Sequence, residues 1–214
     1  MEILKHESGL LKKEAIETLG KLEIKTELRE IIRFVFDINI RENVLEAIRE
    51  FTNDEISELL IHDDEELKIC AAYILGLRND KRSVPVLISA LGSRFAELNR
   101  DCIFLPILFR QTIFGVLADL RDERVVDPLI EKLDHSDSFI RECSAKALGE
   151  LNSPKAVIKL INLLNDNAND VRCVAIKALA SINDSRAVQP LINLLNDNDE
   201  GVRIASIEAF FSIH

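Results

Sequence analysis

Three stretches of the chain, FIRECSAKALGEL, DVRCVAIKALASI and GVRIASIEAFFSI, align without gaps, and their arginines Arg141, Arg172 and Arg203 stand 31 residues apart. A fixed period of this length means that one supersecondary unit is copied along the chain. Each stretch follows a second apolar segment, VVDPLIEKLDHSD, AVIKLINLLNDNA or AVQPLINLLNDND. The unit is therefore a helix, a polar turn, a second helix and a second turn, and its two helices are called A and B. A lone hairpin cannot bury its apolar stripe, so the copies have to stack.

The frame extends backwards through FRQTIFGVLADL with Arg110, LKICAAYILGL with Lys68, IRENVLEAIREF with Arg41 and LKKEAIETLGKL with Lys12, at steps of 31, 42, 27 and 29 residues. Seven B helices fit one template, the first without most of its A helix. The expected fold class is all-α, an α-α superhelix. It forms a single solenoid domain over residues 1–214, with degenerate repeats in 1–82, an enlarged repeat in 83–123 and regular repeats in 124–214. Only 7 Gly and 5 Pro in 214 residues leave little material for the tight turns of an all-β fold.

Inside a B helix the apolar residues recur at helical spacing, as in Val171, Ala175, Ala178, Leu179 and Ile182. Small residues on that stripe, Ala175 and Ala178 with Ser144 and Ala147 one repeat earlier, let neighbouring helices approach closely. Asp137, Ser138, Asn169, Asp170 and Asp199 precede B helices as candidate caps, and Pro128 and Pro190 suit the first turn of A helices.

An acidic turn, then Val-Arg, then a run such as AIKALASI resembles the short HEAT-like repeats named after phycobilisome lyases. The resemblance is tight from about residue 120 and loose before it. It implies the solenoid fold. For function it implies a bilin lyase, a scaffold or a regulatory subunit, since such repeats serve all three.

A net charge of −10 argues against sequence-independent binding to DNA or RNA, which requires Lys and Arg to neutralise phosphates. The four cysteines, Cys70, Cys102, Cys143 and Cys173, form no CxxC pair and read as small buried apolar residues in a reducing compartment. No run approaches the ~18 apolar residues of a membrane span, and the N-terminal stretch lacks the apolar core of a secretory signal. A cytoplasmic protein without membrane or nucleic-acid partners is expected.

Lys12, Arg41, Lys68, Arg110, Arg141, Arg172 and Arg203 place a base at one register of every B helix. This ladder reads as pairing with turn carboxylates such as Asp137, Asp166, Asp197 or Asp199. The alternative is a basic strip for an acidic partner. His6, His62 and His135 share a register six residues before the ladder, where Asp166 and Asp197 stand in other repeats. They lie in alternate repeats, roughly 20 Å apart for helix layers of 8–10 Å, and read as polar turn residues. Deoxyhypusine hydroxylases resemble the chain in plan, but the His-Glu motifs that such an iron site implies are reduced here to His6-Glu7, ahead of its helix. No nucleophile elbow, phosphate loop or HExxH motif appears, so neither a catalytic residue nor a cofactor is expected.

The step of 42 residues between Lys68 and Arg110 marks an insertion in the fourth repeat. It carries Arg94, Phe95, Leu98, Arg100, Asp101 and Phe104, a candidate contact for a protein partner, because inserted loops project from a solenoid. The other reading of its Phe residues is local packing. In the last B helix Ile204, Ile207 and Phe211 replace Glu142, Ala145 and Gly149 of the fifth repeat, which suggests a homo-oligomer or docking contact at that end. The sequence reads best as a non-catalytic scaffold or adaptor for a protein partner, with a bilin or tetrapyrrole lyase or a prosthetic-group chaperone as the alternative.

Overall fold

A computed structural model describes residues 16, 18, 25–37, 39–91 and 105–213, with the side chains of 25–27 and 105–110 outside that description. Among the described residues all regular structure is helical. The A helices are α1 (Lys25–Ile31), α3 (Asn53–Ser57), α5 (Val84–Ala90), α7 (Val126–Lys132), α9 (Val157–Leu163) and α11 (Val188–Asn193). They alternate with the B helices α2 (Arg41–Ala47), α4 (Glu65–Leu77), α6 (Leu105–Asp119), α8 (Ser138–Glu150), α10 (Asn169–Ile182) and α12 (Glu200–Ser212). Among the described residues the fold is all-α, a succession of A–B helix hairpins. It divides into two compact units, 1–116 and 117–214, with the division inside α6.

Two kinds of turn repeat. The turn from a B helix to the next A helix contains a residue in the left-handed region: Asn79 (φ 58°), Arg121 (45°), Asn152 (49°) and Asn183 (55°). Asn tolerates this conformation better than most residues. Next comes a polar residue at the start of a 3-10 turn. Asp80, Asp122 and Asp184 each accept from the backbone N–H two residues on, and also from the guanidinium of that residue: Arg82, Arg124 or Arg186. The left-handed residue ends one helix and the aspartate starts another, so the chain reverses within a few residues.

The turn from A to B is closed by the residue six before the ladder. Asp166 Oδ1 accepts from the Ala168 N–H and Asp197 Oδ1 from the Asp199 N–H, both at 2.9 Å. His62 Nδ1 and His135 Nδ1 accept from the Asp64 and Asp137 N–H groups, both at 3.0 Å. An imidazole nitrogen can thus replace a carboxylate oxygen in this turn, which explains why histidine and aspartate alternate at one register. Asp137 and Asp199 cap α8 and α12 through the Phe139 and Val202 N–H groups. At α10 the capping position is Ala168, and Asn169 and Asp170 lie inside the helix, one position later than the sequence suggests.

In the unit of residues 1–116 the core is centred on α4, where Leu67 and Ile69 to Leu75 are all buried. Tyr73 packs against Phe36 with ring centroids 4.8 Å apart, and the Arg41 guanidinium lies 6.0 Å from the Tyr73 ring. In the unit of residues 117–214, α8 packs on α10 and α10 on α12, while α7, α9 and α11 pack on the B helices that follow them. Ile140, Leu148, Val171, Ile176, Leu179 and Val202 are nearly or completely buried there. A close approach is at Gly149: a Cβ there would sit 2.8 Å from Ala178 Cα and 2.9 Å from Ala178 Cβ. These helices touch backbone to side-chain stub, so the position admits no side chain without displacement.

Candidate functional site

The ladder bases whose side chains are described are used within the fold. Arg141 lies on α8 with its side chain only 15% exposed. Its Nε and Nη2 donate to the two oxygens of Asp166, at 2.7 and 2.8 Å, in a bidentate pair. Its Nη1 donates back to the His135 and Ser136 carbonyls at 2.8 and 3.0 Å. Arg172 on α10 makes the same two connections without the bidentate pair: Nη2 donates to Asp197 Oδ1 and Nη1 to the Asp166 carbonyl, both at 2.8 Å, and Nε is buried without a partner. Each arginine therefore joins its own A–B turn to the A–B turn of the following repeat.

Charge and burial oppose each other at these carboxylates. Burial pushes Asp166 and Asp197 up, but the hydrogen bonds from Arg141 or Arg172 and from the turn N–H groups outweigh it and hold both below the usual carboxylate range. The remaining ladder positions differ. Arg41 Nε donates to the Val35 carbonyl at 3.0 Å, the same six-residue reach. Lys68 pairs at 2.5 Å with Glu65 on its own helix. Arg203 donates to the Asp197 and Asn198 carbonyls at 2.8 and 3.1 Å. Lys12 and the Arg110 side chain lie outside the described residues.

The outward face of the B helices in residues 117–214 forms three rows at the repeat spacing: Glu142, Cys173 and Ile204; Lys146, Lys177 and Glu208; Glu150, Ser181 and Ser212. Between α8 and α10 this face holds a cleft of about 390 Å³ lined by Glu142, Lys146, Glu150, Val174, Lys177 and Ser181, with Gly149 and Ala178 at its floor. Acidic and basic side chains alternate across it. Such a surface can accept a peptide backbone and side chains of either sign. Among the described residues no group of three or more His, Cys, Asp or Glu is placed to hold a metal ion, and no helix is long and apolar enough to cross a membrane.

Arg94, Phe95, Leu98, Arg100, Asp101 and Phe104 of the insertion, with His6 and Cys102, lie outside the described residues. At the last helix Ile204, Ile207 and Phe211 are 50%, 46% and 74% exposed. Ile204 falls in the outer row with Glu142 and Cys173. Ile207 occupies a core register. The residue that sequence reasoning missed is Phe210, at the register of the fully buried Leu148 and Leu179. A second omission is the Asn-Asp-x-Arg turn ahead of A helices, visible in the sequence at Asn79 to Arg82 and Asn183 to Arg186.

Comparison with known proteins places this geometry. A family model for HEAT repeats matches residues 106–172 and 159–210. No curated protein sequence gives a significant match. Among solved structures, the complex of CpcE and CpcF of phycocyanin lyase from Nostoc sp. PCC7120 is similar, with a TM-score of 0.58 and 23% identity. That alignment covers 77% of this chain and 65% of the lyase chain. Computationally designed armadillo repeat proteins for modular peptide recognition align with a TM-score of 0.58 and 16% identity, over 94% of this chain and 99% of theirs. An engineered protein from the Northeast Structural Genomics Consortium aligns with a TM-score of 0.53 and 21% identity, over 99% of this chain and 94% of its own. Residues 106–210 are thus HEAT repeats, and the fold is that of HEAT-like and armadillo repeat proteins.

Proposed function

We propose that this chain is a non-catalytic scaffold in the cytoplasm whose B-helix face holds an extended segment of a partner protein. The cleft between α8 and α10 carries this reading. It is open, lined by Glu142, Lys146, Glu150 and Lys177, and its lining does not include Arg141 or Arg172, which are engaged with Asp166 and Asp197. A surface of mixed charge on rigid helices suits a polypeptide with alternating charges better than a phosphate backbone. The designed peptide-recognition proteins of similar fold support the same reading. The insertion, with Arg94, Phe95, Leu98, Arg100, Asp101 and Phe104, supplies the second contact.

The test is affinity capture from the source cells with identification of partners. Lys146→Glu with Lys177→Glu reverses two of the cleft charges, and deletion of Arg94 to Cys102 removes the insertion. Each is expected to abolish capture while helical circular dichroism stays unchanged. Capture that survives both changes overturns the reading. A second reading, a lyase or chaperone for a tetrapyrrole, draws on the similarity to the phycocyanin lyase complex. A visible absorbance band copurifying with the chain would favour it over the scaffold.

A further inference from the structure

The charges of the cleft between α8 and α10 fall into levels. On α8 Glu142, Lys146 and Glu150 stand four residues apart on one face, so about 6 Å separates each from the next along the axis. On α10 Lys177 stands at the register of Lys146, and Ser181 at that of Glu150. Asp170 lies in the first turn of α10 and acts on Glu142. Burial pushes the Glu142 carboxyl up, the Asp170 charge adds to that, and Lys146 opposes both. The cleft is thus negative at Glu142 and Asp170, positive at Lys146 and Lys177, and negative again at Glu150.

These charges are not neutralised within the fold. Among the described residues Glu142, Asp170 and Lys177 form no ion pair, and Lys146 meets Glu150 only at 3.9 Å with side chains 70% and 47% exposed. A pair of that kind contributes little. Gly149 and Ala178 leave a floor without long side chains, on which a backbone can lie. In an extended chain every second side chain points the same way, and such neighbours are about 6.6 Å apart. Along the cleft this step follows the levels to within about 1 Å over two steps. A strand crossing the helices instead meets equivalent positions roughly 8–10 Å apart, about three residues, so its contacts fall on opposite faces by turns. A partner helix has matching spacing but is about 10–12 Å across and docks through an apolar stripe, whereas the side chains that rim this cleft are charged.

We propose that the cleft selects an extended partner segment of the form basic-x-acidic-x-basic, lying along α8 and α10 with its acidic side chain between Lys146 and Lys177 and its basic side chains at Glu142 and Glu150. This deepens the scaffold reading above and rests on it. The central position is the most selective, because two lysines stand at that level and a basic side chain there meets both. Each end offers one cleft carboxylate, and Asp170 reinforces the one at Glu142.

The probes are two blocked peptides of one composition, Thr-Lys-Thr-Glu-Thr-Lys-Thr and Thr-Lys-Glu-Thr-Thr-Lys-Thr, in which threonine favours the extended chain. The second moves the acid by one position and so to the other face. Titrated into the isotope-labelled full chain at low salt and followed by the amide shifts of α8 and α10, the first should bind roughly fivefold tighter, the size expected of losing the contact with two exposed lysines. Lys146→Gln with Lys177→Gln should erase the preference with circular dichroism unchanged. The proposal is overturned if neither peptide binds, if the two bind equally, if the preference survives the double change, or if a helical peptide with the same charges four residues apart binds more tightly than either. Equal binding, with partner capture still lost on Lys146→Glu and Lys177→Glu, removes the charge register and leaves the scaffold. Capture that survives the charge reversal and the insertion deletion, with the peptides still distinguished, removes the scaffold and leaves the register.

Discussion

The two units link successive hairpins with the same chemistry, an arginine that reaches into a neighbouring turn, but they place it differently. In residues 117–214 the arginine stands on the B helix at a constant register, and Arg141 and Arg172 reach Asp166 and Asp197. In residues 1–116 the work is shared by arginines off that register. Arg33, in the 3-10 turn after α1, donates to Asp64 at 2.6 Å and lies 3.5 Å from Glu66. Arg78, just after α4, donates to the Phe51 and Ile48 carbonyls at 2.6 and 2.8 Å. Stacked hairpins therefore need their turns joined, but any arginine within reach can do it. Periodicity is one solution to that requirement.

The comparison can be broken most directly at Asp166. Asp166→Ala leaves Arg141 mostly buried without its carboxylate and should destabilise residues 117–214 by about 3 kcal/mol in denaturant unfolding. Acid does the same to both pairs at once. Asp166 and Asp197 are held below the ordinary carboxylate pKa, so their contribution is complete above about pH 4 and is lost as pH falls through the lowered values. Thermal unfolding followed from pH 6 down to pH 2 should show protection of 117–214 dropping only in the lower part of that range. The matching change in the other unit is Arg78→Met, which removes two charge-assisted bonds to carbonyls. It should cost about 2 kcal/mol, read by hydrogen exchange of the amides in α2 and α4.

Smaller changes sharpen the picture of how the repeats touch. Gly149→Ala adds a methyl group within 3 Å of Ala178 and should destabilise by about 1–2 kcal/mol, forcing α8 from α10. The corresponding small-residue change on the open side, Ser181→Ala, should leave stability unchanged in the same assay. Arg121 is the one non-asparagine residue among the four left-handed turn positions found in the described residues. Arg121→Asn should raise the melting temperature slightly, by roughly 0.5 kcal/mol of stability, since asparagine enters this region more readily.

The B helices, their burial stripe and the turns were legible because helical periodicity and the 31-residue spacing are properties of the sequence. Of that stripe Val171, Ala175, Ala178 and Leu179 are buried as the spacing indicates, while Ile182, the last residue of α10, is half-buried. The Arg33 and Arg78 links were not legible, since nothing in their spacing marks a partner about 30 residues away. Phe210 was missed for a different reason. The 31-residue alignment does set it at the register of Leu148 and Leu179, with Phe211 at that of Gly149 and Ala180, but only the burial of those two leucines marks that register as core. Similarly, the three histidines become intelligible only when His62 and His135 are seen accepting turn N–H groups in the way Asp166 and Asp197 do.

The sequence by itself determined that the chain is helical, that its unit is a hairpin and that copies of the unit must stack, because each copy's apolar stripe is too large to leave in water. It also placed a base at the same point in every B helix. Only the tertiary structure decided what those bases do. Pairing depends on the distance between an arginine and a carboxylate that are 25 residues apart in the chain and adjacent in space. That distance is set by how closely Gly149 lets α8 approach α10, and by whether a following turn is there to supply a carboxylate. Where it is, at Arg141 and Arg172, the charge is satisfied by a carboxylate inside the fold; Arg203 is held by the Asp197 and Asn198 carbonyls of its own turn.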